Sequence, residues 1–176
     1  CFLGKRRLDK ALKAVQGPFD VSWYPFQLNP EIPPEGLPFN DYLTKRFGSP
    51  ANVEPVLEHL AEEGKLDGVH FEFDKIRHVP NTLPVHQVMQ RAETLGADQT
   101  ALAEDLMSAF FEQGINIGER GVLIDIAGRH GISPEETRRA LGSDQVRQVV
   151  VTREAQVRSS GLSSAPGFLV NRRLLV

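Results

Sequence analysis

The chain contains one thiol, Cys1. Phe2, Leu3, Leu8, Ala11, Leu12 and Val15 follow it at helical spacing, which puts Cys1 at the N-terminus of a helix. Unpaired N–H groups and the macrodipole at that position stabilise a thiolate, the nucleophilic form of cysteine. Lys5, Arg6, Arg7, Lys10 and Lys13 add positive charge to the same helix. A buried structural thiol above a solvated basic face satisfies the same spacing. From the residues alone both readings stand.

Pro166 is the second candidate. It comes after Ser163, Ser164 and Ala165 and precedes an apolar stretch. A proline entering a strand after a long helix can carry a cis peptide and present backbone to a ligand. Only about 5–6% of X–Pro bonds in folded proteins are cis, so the ordinary trans proline is the competing reading. His59, His70, His78, His86 and His130 show no metal-ligand spacing with cysteine or acidic partners, and no metal is expected. The pairs Glu62-Glu63 and Glu135-Glu136 read as helix starts or solvated faces. Gly118, Gly121 and Gly128 come after no strand, so they form no phosphate loop. Phe110-Phe111 at helical spacing reads as core.

Charge and composition narrow the function classes. Lys plus Arg number 20 and Asp plus Glu 23, a net charge of −3. That balance argues against nucleic-acid and anionic-membrane partners. Apolar residues make up 40% and charged residues 24% of 176, the profile of a globular domain that needs no disulfide staples. One cysteine excludes an internal disulfide framework. No apolar run reaches the length of a membrane span.

The elements that must position Cys1 and Pro166 can be read from the pattern. Gly17-Pro18 stops the first helix. Residues 19–26, rich in aromatic and β-branched types, predict a strand that Pro25 confines to an edge or an end. Pro30, Pro33, Pro34, Gly36 and Pro38 mark an irregular loop. From about Phe39 to Arg158 the period is mostly helical. Starts are expected at Ser49-Pro50, Asn81-Thr82, Asp98, Ser133-Pro134-Glu135-Glu136 and Ser143-Asp144. His70–Asp74 alternates and is expected to be extended. Residues 167–176 predict a hairpin turning near Asn171-Arg172. The β signals sit at the two ends and nearly none lie between, which predicts one α/β domain with a helical insertion. Because the chain opens inside its own helix without Met, a strand is expected to precede Cys1.

Several stretches together resemble one family. Cys1-Phe2-Leu3-Gly4-Lys5-Arg6-Arg7 is similar to the segment after the Cys-Pro-Trp of a Cys-Pro-Trp-Cys motif in the FrnE-like branch of the DsbA thioredoxin-fold family. Trp23–Pro30 looks like the same branch, as do Pro80-Asn81-Thr82 with His86, and Ala109-Phe110-Phe111 with Asn116-Ile117-Gly118. Gly161–Pro166 completes the set. The resemblance spans essentially the whole chain in the right order, and FrnE-like proteins are often described as 2-hydroxychromene-2-carboxylate isomerase-like.

The resemblance implies a thioredoxin-like domain built from residues 1–30 and 150–176, with a helical insertion domain at 31–149, the chain being truncated at both ends. It implies a thiol–disulfide oxidoreductase or disulfide isomerase. Cys1 would be the second cysteine of the motif, the first lying three residues earlier. Ser164, Ala165 and Pro166 would hold substrate, with Asn81 beside them, and Ala165–Pro166 would be the cis-proline element. The family commonly has Val before that proline and two aromatics after it, where this chain has Ala165 and Gly167-Phe168. Expected partners are protein or small-molecule thiols and disulfides, with no tightly bound cofactor, glutathione as the candidate cosubstrate and a homodimer as the candidate assembly. A cytoplasmic location is the expectation. Two alternatives accompany it: a glutathione-dependent isomerase or transferase of the same fold, and a redox-inactive thioredoxin-fold binding module.

Overall fold

The computed structural model describes residues 1–15, 17–171 and 173–175. Helix α1 spans Phe2–Val15 and is followed by an irregular segment that crosses the Pro-rich region. The short strand β1, Leu37–Pro38, leads into α2, Phe39–Phe47, and α3, Pro50–Asp67. A 3-10 turn at Phe73–Lys75 and strand β2, His78–Val79, precede a run of helices. These are α4 (Leu83–Leu95), α5 (Gln99–Phe111), α6 (Arg120–Arg129), α7 (Pro134–Gly142) and α8 (Asp144–Ser159). Strands β3, Phe168–Val170, and β4, Arg173–Leu175, close the order.

Three helices, α5, α7 and α8, start where a cap side chain satisfies otherwise unpaired N–H groups, whereas Ser49 makes no such bond at the start of α3. The Asp98 carboxylate accepts from the N–H groups of Thr100 and Ala101. Ser133 Oγ accepts from Glu136 N–H with Pro134 opening the helix, and Ser143 Oγ accepts from Val146 N–H. Glu136 does not reach back to Ser133; its carboxylate pairs with Arg91 of α4 and Arg139 of α7. The main core fills the space among α4, α5, α6 and α7 with Val88, Ala92, Leu102, Leu106, Leu123, Ile126 and Leu141. A second cluster, Phe39, Leu43, Val53 and Ile76, joins the first through Phe110.

Three expectations change. Residues 19–26 form no ladder among the described residues. Aromatic and β-branched residues fit a pleated surface, but that preference needs a neighbouring strand to act on. Here side chains hold the segment: Trp23 Nε1 donates to Thr100 Oγ1 at 3.0 Å. His70–Asp74 is not an extended stretch, because Phe73–Lys75 coils into the 3-10 turn. The Pro-rich loop is partly regular, since Leu37 pairs with Val79 and Pro38 with His78. Gly36 permits that pairing. Its φ is +83°, and a Cβ there would lie 2.8 Å from the Val79 carbonyl. The region between residues 31 and 149 therefore holds this small ladder besides its helices. At the other end the hairpin forms as expected, with Phe168 opposite Leu175 and Asn171 at φ +49° in its turn. Arg172, the other residue expected in that turn, lies outside the described residues.

Candidate functional site

Helix α1 presents Cys1, exposed, at its start, and Lys5 N–H closes the first turn onto the Cys1 carbonyl at 2.9 Å. The next residue anchors the helix. Phe2 is 1% exposed and its ring stacks on Phe111 with centroids 6.2 Å apart. Phe71 and Phe110 meet the same Phe111 ring edge-on, at 5.5 and 4.9 Å. Edge-on and stacked aromatic pairs add specific geometry to burial, so this cluster fixes where the thiol-bearing turn sits.

One turn along, Gly4 faces the loop that enters β3. A Cβ on Gly4 would lie 2.6 Å from Pro166 Cγ, 3.1 Å from Pro166 Cβ and 3.4 Å from Phe168 Cζ. The proline ring thus lies on the first turn of α1. Cys1 and Pro166, 165 positions apart in sequence, belong to one locality. The Ala165–Pro166 peptide is cis. Ser164 and Pro166 are exposed and Ala165 is partly buried, so this stretch of backbone is open to a ligand.

Asn81 sits differently. Its Nδ2 donates to the Ile32 carbonyl at 2.6 Å and its Oδ1 accepts from Leu83 N–H at 2.9 Å. One partner belongs to the Pro-rich loop and the other opens α4; neither belongs to the Cys1–Pro166 locality.

Most of the basic face of α1 is ion-paired, although only Lys5 is buried. Lys5, 7% exposed, reaches Asp9 at 2.8 Å and Glu104 of α5 at 2.6 Å. Arg6 reaches the other oxygen of Glu104 at 2.5 Å. Arg7 binds Glu63 and Asp67 of α3 at 2.7 and 2.6 Å, and Lys10 binds Asp67 at 2.8 Å. Burial works against the charge of Lys5, but Asp9 and Glu104 outweigh it and raise its pKa. The basic stripe is an attachment to the helices beside it. The positive charge of Lys5, Arg6, Arg7 and Lys10 is largely compensated by these carboxylates.

A polar network missed in the sequence lies beneath residues 23–29. Gln27 donates to Glu154 of α8 twice, from its backbone N–H at 2.9 Å and from Nε2 at 2.8 Å. Arg158 donates to Glu154 through Nε and Nη2, and its Nη2 also reaches the Gln27 carbonyl at 2.6 Å. The Arg158 guanidinium lies 4.1 Å from the Phe26 ring centroid. Burial opposes the Glu154 charge, but the hydrogen bonds from Gln27 and Arg158 prevail and hold its carboxyl below the usual range. Burial pushes the His86 imidazole below its ordinary range, against the pull of Glu154 and of a hydrogen bond to the Phe26 carbonyl. No local pattern could reveal these pairs, because Gln27 and Glu154 are 127 positions apart.

The family model for the DSBA-like thioredoxin domain matches residues 1–176, and the chain belongs to that family. Its fold is thioredoxin-like with a helical insertion, and the family is of thiol–disulfide oxidoreductase type. The chain is similar to the uncharacterized protein YwbO of Bacillus subtilis, with 26% identity over 141 residues. That match covers 80% of this chain and 65% of YwbO, so the chain spans about two thirds of its relative's length. A crystal structure named as a probable DsbA oxidoreductase from Streptomyces coelicolor superposes with a TM-score of 0.90. It is 22% identical, with 99% of this chain and 77% of that one covered. A structure provisionally named a protein disulfide isomerase, from Nitrosomonas europaea, superposes with a TM-score of 0.60. Identity there is 16%, over 72% of this chain and 65% of the other. At such identities the two structures speak for the fold. No helix among the described residues is long and apolar enough to cross a membrane.

Proposed function

We propose that the protein is a thiol–disulfide exchange enzyme of the FrnE-like branch, with Cys1 as the second cysteine of a Cys-Pro-Trp-Cys-like motif. The observation that carries this reading is the contact of Pro166 with the first turn of the Cys1 helix. It sets an open stretch of backbone, Ser164–Ala165, beside a thiol at a helix N-terminus. A substrate strand would pair with the Ala165 backbone as an added β-strand.

The chemistry balances within exchange. The motif's first cysteine, three residues before Cys1, attacks a substrate disulfide as a thiolate. One substrate sulfur leaves as a thiolate and the other is held in a mixed disulfide. The Cys1 thiolate then attacks the enzyme sulfur of that mixed disulfide, and the second substrate sulfur leaves. The enzyme pair ends oxidised and the substrate reduced by two electrons; the reverse order oxidises a substrate dithiol. Glutathione fits the same path as a small thiol partner.

Mass spectrometry of the full-length protein, carrying the cysteine expected three residues before Cys1, under redox cycling tests the reading. Oxidised and reduced forms should differ by two hydrogens, and Cys1→Ser should accumulate the mixed disulfide instead of resolving it. Identical masses in both conditions, together with no mixed disulfide in Cys1→Ser, would remove the exchange reading.

A further inference from the structure

We infer that Gly4 is a positioning residue of the exchange site, its missing side chain setting how closely the Pro166 loop lies to the Cys1 thiol. The inference rests on the exchange reading of Cys1. Glycine weakens a helix, so one within the opening turns of α1 calls for a packing reason. Gly121, Gly128 and Gly142 are helical too, and a Cβ on any of them would meet nothing within 4 Å. Gly4 differs from these and resembles Gly64 of α3, whose Cβ would meet Phe71 and the Val69 carbonyl at 2.7 Å: the Gly4 Cβ would lie 2.6 Å from Pro166 Cγ, a separation that real Cβ atoms essentially never show.

Which side gives way decides the consequence. Helix α1 is fixed on both flanks of Gly4, by the buried ring of Phe2 and by buried Lys5 in its pairs with Asp9 and Glu104. Pro166 is exposed and belongs to no helix or ladder. An added methyl therefore moves the loop and leaves the helix in place. The Ala165 backbone then stands farther from the thiol, and a peptide held against it presents its disulfide out of line. A small electrophile that needs only the thiolate senses no change.

The experiment compares two reagents on the full-length protein. One is an extended peptide carrying a disulfide, and the other is iodoacetamide, with Cys1 labelling read by peptide mass. In Gly4→Ala the peptide exchange rate should fall roughly ten- to hundredfold, as misplacement by about 1 Å does elsewhere, while alkylation changes less than about twofold. Gly4→Ser should behave alike, and Gly121→Ala should match the wild type in both reactions. An unchanged peptide rate in Gly4→Ala, or a parallel loss of both reactions, overturns the positioning role. So does unfolding of Gly4→Ala at the assay temperature, because the loop and not the fold is expected to yield. A wild-type protein that exchanges with no disulfide at all overturns the exchange reading and this inference together. Wild-type exchange that Gly4→Ala leaves untouched overturns this inference alone.

Discussion

Two polar joins hold distant parts of this chain together, and they work by different physics. One is the seam that fastens α1 to α3 through Arg7, Lys10, Glu63 and Asp67. Its cations are exposed, and water and salt screen each pair. The other is the network of Gln27, Glu154 and Arg158 beneath residues 23–29, where Gln27 and Glu154 are 7% and 6% exposed. There the charge is desolvated, and the hydrogen bonds that satisfy it are costly to lose. The seam adjusts an element that is already a helix. The network replaces a ladder for a segment that has none, so its side chains take the part that backbone pairing plays in a sheet. Removing a partner should therefore hurt the network far more than the seam.

The largest expected effect is at Glu154. Glu154→Ala leaves the Gln27 amide and backbone N–H without their acceptor and Arg158 without its counter-charge. Breaking a buried pair of this kind costs about 3–5 kcal/mol, and the partial exposure of Arg158 places this case toward the lower end. Urea denaturation of wild type and variant measures it. Glu154→Gln keeps one acceptor and should lose less. Equal losses in the two variants would mean that volume, not the hydrogen bonds, holds the segment.

A smaller effect lies in the pH dependence of the same network. His86 is held neutral below its ordinary pKa. As pH falls through the ordinary histidine value, about 6.5, the unfolded chain takes up a proton that the folded chain refuses, and stability declines. Glu154, with its carboxyl pKa lowered, contributes above the ordinary glutamate value. That contribution is lost as pH falls further, through the folded value. Stability should thus drop in two stages on acidification. His86→Gln should erase the first stage and keep the second. A denaturation series from pH 8 to pH 4 that shows the same first stage in His86→Gln would assign it to another group.

How much of this is legible in the sequence depends on how local each signal is. The caps at Asp98, Ser133 and Ser143 lie within a few residues of the N–H groups they satisfy, so the sequence displays them. The hairpin turn at Asn171 shows itself in the same way, through a residue type that tolerates positive φ. Cys1 at a helix start is readable from six apolar positions. The closeness of Pro166 to it comes only through the family pattern, since no local feature joins positions 1 and 166. The basic stripe of α1 reads as unpaired because, Asp9 apart, its acids lie on other helices, more than fifty positions away for Arg7 and Lys10. Residues 19–26 read as a strand because propensity describes a surface that fits a sheet and is silent on whether a neighbour exists. Gly4 carries a signal of its own: a glycine inside a clear helical pattern asks what lies against it.

The smallest effect, and the sharpest contrast with Glu154, is expected at Asp67. This carboxylate accepts from Arg7 and Lys10, and hydrogen bonds from Lys10 and Arg7 hold it below its usual range. Asp67→Asn keeps the shape and removes the charge. The cations are free to turn into water, so no desolvated group is left stranded. The melting temperature should fall only slightly at low salt, and wild type and variant should converge as salt rises. Screening lengths shrink from about 10 Å at 0.1 M to about 3 Å at 1 M, while the contacts in the Glu154 network remain shielded from solvent. The acid limb carries the same sign as for Glu154: the Asp67 contribution is present above the ordinary aspartate pKa and disappears as pH falls through its lowered folded value. Thermal melts at two salt concentrations, repeated at neutral and acid pH, check both points. If Asp67→Asn cost as much as Glu154→Ala, or if its effect persisted unchanged at 1 M salt, the seam would be a second buried network and the contrast between the two joins would fail.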